Sequence, residues 1–91
     1  MADLQYMLRG EIDVRTAPDV RADLHALIQT SAELLRVDCA ELTFIDSTGI
    51  AVLLETEHEL QRRDQHMCII NVRPGPRQVF ELLGLSDLLI Q

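Results

Sequence analysis

The chain has 91 residues, of which 47% are hydrophobic, and it carries a formal net charge of −7. This length fits one domain, residues 1–91, and the hydrophobic fraction supports a packed core and excludes intrinsic disorder. The negative charge disfavours nucleic acid and anionic membranes as partners, because both are bound through clustered basic side chains. Neither a signal peptide nor a membrane-spanning apolar stretch is evident, so we expect a cytoplasmic protein without membrane insertion.

The residue types that commonly carry chemistry are scattered along the chain. Cys39 and Cys68 lie in apolar segments and are predicted to be buried free thiols. His25, His58 and His66 fall on three different predicted elements without ligand spacing, so no metal site is predicted. No carboxylate pair, glycine-rich phosphate loop or catalytic triad order appears, which predicts a protein that is not an enzyme and has no cofactor. Weak nucleotide binding stays open.

The first third of the chain predicts a strand followed by a helix. Apolar and polar residues alternate over residues 4–8, as in a half-buried strand, and residues 10–13, Gly-Glu-Ile-Asp, close that strand. Thr16 then offers a capping hydroxyl, and Pro18 suits the first turn of a helix that continues to about Thr30.

The middle of the chain predicts an amphipathic helix with two strand candidates before it and one strand after it. Residues 34–39 and 42–45 are strand candidates, and a helix follows from residue 47 to about Asp64. Its charged face is predicted to be solvated, and Glu59 and Arg63 pair along it. The run 67–72 is almost continuously apolar, which is typical of a strand covered on both faces. The buried stripe of the helix is predicted to consist of Ile50, Leu53, Leu54 and Leu60.

The last third predicts a loop, a helix and a short strand. Residues 73–77 are expected to form the loop, and Gly84 is expected to end the helix as a C-cap. A final strand is predicted over residues 88–90. The order of elements indicates an α/β fold with a mostly parallel sheet of about four strands and about three helices. The buried side of the last helix is predicted to consist of Val79, Phe80, Leu82 and Leu83.

The start of the second helix is the most informative site in the sequence. Ser47 stands where backbone N–H groups lack intrahelical partners, so its hydroxyl can cap the helix or carry a phosphate. Asp46 is an alternative cap, in which case Ser47 is simply exposed. Gly49 is disfavoured by helix propensity, and a small residue there can let the helix start pack closely on a strand.

The segment 44–50, Phe-Ile-Asp-Ser-Thr-Gly-Ile, resembles the phosphorylation motif of bacterial anti-sigma factor antagonists, which are small STAS domains. Residues 10–13 are similar to the Gly-Glu-Leu-Asp signature of the family, and residues 79–85 are similar to its late helix and glycine. The resemblance therefore spans nearly the whole chain. It implies that this chain is a STAS domain that acts as an anti-anti-sigma factor.

The family mechanism implied by this resemblance is partner switching in bacterial stress responses. The unphosphorylated antagonist binds an anti-sigma factor, a serine kinase of the histidine-kinase-like ATPase type, and the sigma factor is released. Phosphorylation ends the binding, and a PP2C-type phosphatase restores it. The residue in the family's phosphorylated position is Ser47, with Thr48 as a less favoured acceptor. The implied partner-binding residues are Asp13, Asp46, Ser47, Thr48, Gly49 and Ile50.

Two departures from the family pattern accompany this resemblance. The chain looks trimmed at both ends, because many relatives have a strand before the first one here and a helix after the last. A sheet edge left open in this way would favour weak self-association. Thr48 stands where serine is common. The competing hypothesis is a constitutive STAS scaffold subunit of a lipid-transport ATPase complex or of a stress-signalling assembly, in which Ser47 is only a cap.

Overall fold

The computed structural model describes residues 3–30 and 33–90, and of residue 90 only the backbone. Three α-helices lie in these ranges, α1 Ala17–Leu27, α2 Ser47–Gln61 and α3 Pro74–Leu82, and a 3₁₀ turn spans Ser86–Leu88. The strands in the same ranges are β1 Asp3–Met7, β2 Gly10–Ile12, β3 Leu34–Asp38, β4 Leu42–Ile45, β5 His66–Ile70 and β6 Leu89–Ile90.

The strands form two groups of parallel strands, and strands of the two groups alternate along the chain from β1 to β5. The larger sheet has the order β1-β3-β5-β6, and β2 pairs with β4 beyond it. Backbone hydrogen bonds extend each group by one residue: Leu8 N–H donates to the Asp38 carbonyl next to the β1–β3 pairing, and Gly10 N–H donates to the Glu41 carbonyl just before β4, both at 2.9 Å. The predicted α/β fold, with its parallel sheet and three helices, is confirmed.

The first predicted strand is two separate strands in the structure. Residues 10–13 were expected to close the first strand, but residues 10–12 form β2, which has its own partner. The register between β2 and β4 shifts at Gly10 and Glu11, and Gly10 has a positive φ of 69° that glycine adopts readily. This irregularity lies at the start of the short pair.

The core lies between the sheet and its helices. α1 packs against α2, α2 contacts β4 and β5, and α3 contacts β4. Both cysteines are buried free thiols as predicted, and burial raises the pKa of Cys39 to about 12, so this thiol stays protonated and unreactive. The largest fully buried side chains include Phe80, Leu8, Leu24, Leu35, Leu42, Ile45, Leu53 and Ile69.

Two details of α1 and α2 differ from the prediction. Thr16 is the N-cap residue of α1, but its side chain makes no capping hydrogen bond to the helix. Its hydroxyl instead donates to the Glu11 carbonyl and accepts from Asp13 N–H, each at 2.9 Å, so it closes the turn after β2. On α2 the prediction of a buried Leu54 was wrong, since 41% of it is exposed and Val52 is buried.

The third helix starts earlier than expected and buries fewer residues. Residues 74–77 belong to α3 rather than to a loop, because Pro74 fits the first turn of a helix. Leu82 and Leu83 were predicted to be buried, but they are 83% and 44% exposed. Gly84 ends the helix as predicted, with a φ of +90° that favours glycine. Of the predicted final strand, residue 88 belongs to the 3₁₀ turn.

Candidate functional site

Two aspartates emerge side by side where β2 and β4 end. Ile12 and Ile45 are register partners at the ends of these parallel strands, and Asp46 N–H donates to the Ile12 carbonyl at 3.2 Å. The next residues along the chain, Asp13 and Asp46, therefore lie at one edge of the pair. Their negative charges interact, since the charge of Asp13 acts to raise the pKa of Asp46.

Asp46 is the N-cap of α2. Its extended backbone turns the side chain back over the helix start, where Oδ1 accepts from Thr48 N–H at 2.9 Å and from Gly49 N–H at 3.4 Å. The Thr48 hydroxyl also donates to the same oxygen. This hydroxyl is the largest of the effects that lower the pKa of Asp46. The cap is thus Asp46, the alternative that the sequence left open, and not Ser47.

Ser47 is the first residue of α2 and its side chain is exposed. In residues 3–30 and 33–90 no side-chain hydrogen bond involves its hydroxyl, whereas the Thr48 hydroxyl is held by Asp46. A serine at this position points toward solvent because the preceding aspartate already serves the helix N–H groups. The Ser47 oxygen is therefore available to an incoming reagent or enzyme.

Asp13 is held by the turn that follows β2. Its Oδ1 accepts from Arg15 N–H at 2.9 Å and from Thr16 N–H at 3.4 Å, and its Oδ2 lies 3.1 Å from Arg15 Nη2. The hydrogen bond from the Arg15 side chain is the main reason that the pKa of Asp13 is lowered. Asp13 is ionised at neutral pH and has a defined orientation beside Asp46.

The other two residues of the expected partner-binding set lie in the interior. Gly49 is buried, and a Cβ at this position would stand 2.7 Å from side-chain atoms of both Ile12 and Ile45. Ile50 is only 2% exposed and belongs to the core. Neither residue offers a side chain to a partner. They instead pack the first turn of α2 closely against the ends of β2 and β4. This packing fixes the position of Ser47 relative to these strand ends.

Two apolar side chains that the sequence analysis did not assign to the site are exposed near it. Val14, directly after Asp13, is 70% exposed. Leu54 follows Ser47 by seven residues, so it lies on the same side of α2 two turns further on. Val14 could have been noticed as an apolar residue inside a turn, while Leu54 was hidden by its fit to the apolar stripe. We call the surface of Asp13, Val14, Asp46, Ser47, Thr48 and Leu54 the edge face.

Other regions of the described chain are weaker candidates for a functional site. The groove between α1 and α2 has a volume of about 300 Å³, but its charges are paired. Arg21 Nε pairs across it with Glu55 Oε2 at 3.0 Å, and Arg63 Nη2 pairs on the α2 side with Glu59 Oε2 at 3.2 Å. Within residues 3–30 and 33–90, no three histidine, cysteine or acidic side chains are grouped to hold a metal. None of the described helices has the length and apolarity needed to cross a membrane.

The capping role of Asp46 predicts different outcomes for two substitutions. Asp46→Ala removes the acceptor for two helix N–H groups, and we expect the melting temperature to fall by about 4–8 °C. Asp46→Asn keeps a capping oxygen and is expected to melt within about 2 °C of the wild type. Thermal unfolding followed by circular dichroism measures both. Equal melting temperatures for the alanine and asparagine variants would contradict the assignment of the cap.

The lowered pKa values of Asp13 and Asp46 predict a loss of stability in acid. A carboxyl whose pKa is lower in the folded than in the unfolded chain stabilises the fold above its unfolded pKa, about 3.9. This contribution is lost as the pH falls through the folded value. We expect the unfolding free energy, measured by urea titration from pH 6 to pH 3, to decline less steeply in the Asp13→Asn, Asp46→Asn double variant. A wild-type slope in that variant would contradict the prediction.

Comparison with known proteins agrees with this architecture. The family model of the STAS domain matches residues 2–90. The anti-sigma-B factor antagonist of Listeria monocytogenes is 30% identical over 86 residues, covering 94% of this chain and 75% of the relative. The anti-sigma factor antagonist SpoIIAA in its unphosphorylated form has a TM-score of 0.85 at 26% identity, covering 97% of this chain and 77% of that one.

A second structure of SpoIIAA represents the same fold in another covalent state. SpoIIAA, described as a Bacillus cell fate determinant, in its phosphorylated form has a TM-score of 0.75 at 26% identity, covering 97% of this chain and 80% of that one. The fold shared by these proteins thus exists both with and without a phosphate. The family match over nearly the whole chain and the 30% identity to a curated relative place this protein among the STAS domains, as a member of the anti-sigma factor antagonist family.

Proposed function

We propose that this protein is an anti-anti-sigma factor whose edge face binds an anti-sigma factor only while Ser47 is unphosphorylated. The observation that carries the proposal is the exposed Ser47 hydroxyl, which has no side-chain hydrogen bond within the described residues and stands beside Asp13 and Asp46. Binding of the anti-sigma factor releases the sigma factor to the transcription machinery. Homology to proteins named as antagonists of anti-sigma-B factor supports this role.

The local hydrogen bonds favour Ser47 over Thr48 as the phosphate acceptor. The Thr48 hydroxyl donates to the Asp46 carboxylate, so phosphorylation of Thr48 would remove this donor from the oxygen that caps the helix. The Ser47 hydroxyl can be modified without the loss of any contact in the described chain. A phosphate there also lies at the positive end of the α2 dipole, so we expect the fold to tolerate it.

The composition of the edge face explains how one phosphate can end binding. Exposed Val14 and Leu54 add apolar contact area to the edge face, and such area stabilises a complex only when it is desolvated. A phosphate adds a charge of about −1.5 to −2 to a surface that already carries Asp13 and Asp46. Burying that charge without a paired cation opposes complex formation, since an unpaired ion loses its hydration.

The partners follow from this chemistry and from the family. We propose that the anti-sigma factor is itself a serine kinase of the histidine-kinase-like ATPase type, and that a PP2C-type phosphatase restores Ser47. The protein itself acts as a regulatory binding protein in the cytoplasm, not as an enzyme. A partner surface that combines apolar and basic residues fits the apolar and acidic edge face and the net charge of −7.

Phosphopeptide mapping of the protein purified from its own host tests the proposal. Intact mass is recorded before and after phosphatase treatment, in growing and in stressed cells. We expect one phosphate, on Ser47, whose occupancy falls when the stress response is induced. A protein that remains unmodified in every condition and co-purifies stoichiometrically with a transporter complex would overturn the switch in favour of a constitutive scaffold.

A further inference from the structure

Arg15 is a basic side chain at the edge where Asp13 and Asp46 meet. Its Nη2 atom lies 3.1 Å from Asp13 Oδ2 and 4.0 Å from Glu11 Oε1, and 75% of its side chain is exposed. Asp13 is next to Ile12, whose carbonyl accepts the Asp46 backbone N–H. The guanidinium is therefore tethered by an exposed ion pair close to the residue that precedes Ser47.

The remaining arginines have other partners. Within residues 3–30 and 33–90, Arg15 is the arginine that forms an ion pair with Asp13. The others contact different groups: Arg9 pairs with Glu41, Arg21 with Glu55, Arg36 with Asp3, Arg62 and Arg63 with Glu59, and Arg77 with Glu81, while Arg73 donates to the Ala40 carbonyl. Arg15 is thus the arginine that an ion pair with Asp13 holds at this edge.

We infer that Arg15 is the internal ligand of a phosphate on Ser47: its guanidinium leaves Asp13 and donates to the phosphate oxygens. This inference rests on the proposed phosphorylation of Ser47. A phosphate dianion offers three strong acceptor oxygens, and the planar fork of arginine matches their geometry. The exchange costs little, because the Arg15 side chain is 75% exposed and an ion pair made by so solvated a side chain contributes only weakly to stability.

The exchange of Arg15 changes the edge face at two positions at once. Asp13 loses the side-chain donor that fixes its orientation in the unphosphorylated protein, while its bonds to the Arg15 and Thr16 N–H groups remain. Arg15 in turn holds the phosphate against the edge face, so that the phosphate does not extend into solvent. Phosphorylation would therefore both add charge at Ser47 and release Asp13 from the arrangement that the partner binds.

The test uses the full chain with phosphoserine inserted at position 47 during translation, so that it needs no kinase. Phosphorus NMR is used to titrate the second pKa of the phosphate in the wild-type background, in Arg15→Gln and in Arg15→Lys. A nearby guanidinium favours the dianion and lowers this pKa. We expect the pKa to be about 0.2–0.7 unit higher in Arg15→Gln than in the wild-type background. Arg15→Lys, which keeps the charge but loses the fork, is expected to lie between them.

Arg62→Gln is the matched control for the loss of one positive charge. Arg62 follows the last residue of the 15-residue α2, so it lies about 22 Å from Ser47, beyond the screening length of physiological salt. The second pKa of the phosphate on residue 47 should therefore be the same in Arg62→Gln as in the wild-type background. Equal pKa values for Arg15→Gln and the wild-type background would overturn the contact, and so would an equal shift in Arg62→Gln. Neither outcome would overturn the partner switch, which is tested separately by the binding of Ser47 variants.

Discussion

Replacing Ser47 with aspartate is expected to weaken binding to the anti-sigma kinase by about tenfold or more, without loss of folded structure. The new carboxylate would stand on the edge face next to Asp13 and Asp46, where complex formation removes water from it. The fold is expected to persist because Ser47 is exposed and an acidic residue is favoured in the first turn of a helix. Affinity and stability should therefore change independently.

Two further variants isolate the effect of charge at this position. Ser47→Ala removes the hydroxyl without adding charge, so we expect it to bind as the wild type does and to resist phosphorylation. Ser86→Asp introduces the same charge at an exposed serine that begins the 3₁₀ turn after α3, and we expect unchanged binding.

The measurement is isothermal titration calorimetry with the kinase that co-purifies with tagged Ser47→Ala from host cells. Thermal melting is recorded for every variant, so that a loss of affinity is separated from a loss of folded protein. Equal affinities of the wild type and Ser47→Asp would contradict the switch. Equal weakening by Ser86→Asp would show that total charge, and not the edge face, controls binding.

Replacing Gly49 with alanine is expected to destabilise the protein by about 1–2 kcal/mol. A Cβ at this position would stand 2.7 Å from side-chain atoms of Ile12 and Ile45, and both isoleucines are buried and have little room to move. Overpacking of this kind costs about 1–3 kcal/mol, and the better helix propensity of alanine offsets about 1 kcal/mol at most. The clash also displaces the first turn of α2, so we expect weaker partner binding.

Gly75→Ala is the matched control for Gly49→Ala. Gly75 is in the first turn of α3, and a Cβ there meets nothing within 4 Å, so only the change in helix propensity remains. We expect this variant to be as stable as the wild type or slightly more stable. Urea unfolding monitored by circular dichroism compares the two, and a Gly49→Ala variant as stable as Gly75→Ala would refute the close packing of α2 on the strand ends.

The sequence alone was sufficient for most of the elements and for the family. Apolar periodicity located the three helices and the main strands, and the turn residue Gly84 marked the end of α3 because its positive φ suits glycine. The segment 44–50 identified the antagonist family, which comparison with known proteins then confirmed. These features depend on local sequence, since helix caps, turns and side-chain periodicity are set within a few residues.

Exposure of individual apolar residues could not be predicted in this way. Leu54 and Leu82 fit the apolar stripes of α2 and α3, yet both are exposed. Periodicity shows which residues share a side of a helix, but the width of the buried stripe depends on what packs against it. Leu54 therefore moved from the predicted core to the edge face once the helix was placed on the sheet.

The tertiary structure decided how the site is assembled. Asp13 and Asp46 are far apart in sequence, and only the parallel pairing of β2 with β4 brings them to one edge. The sequence left open whether Asp46 or Ser47 would cap α2. The extended backbone at Asp46 selected Asp46, which left the Ser47 hydroxyl without a partner in the described chain. Local residues thus determined what the helix start can do, while strand pairing and packing determined which groups meet there, because such contacts depend on distant parts of the chain.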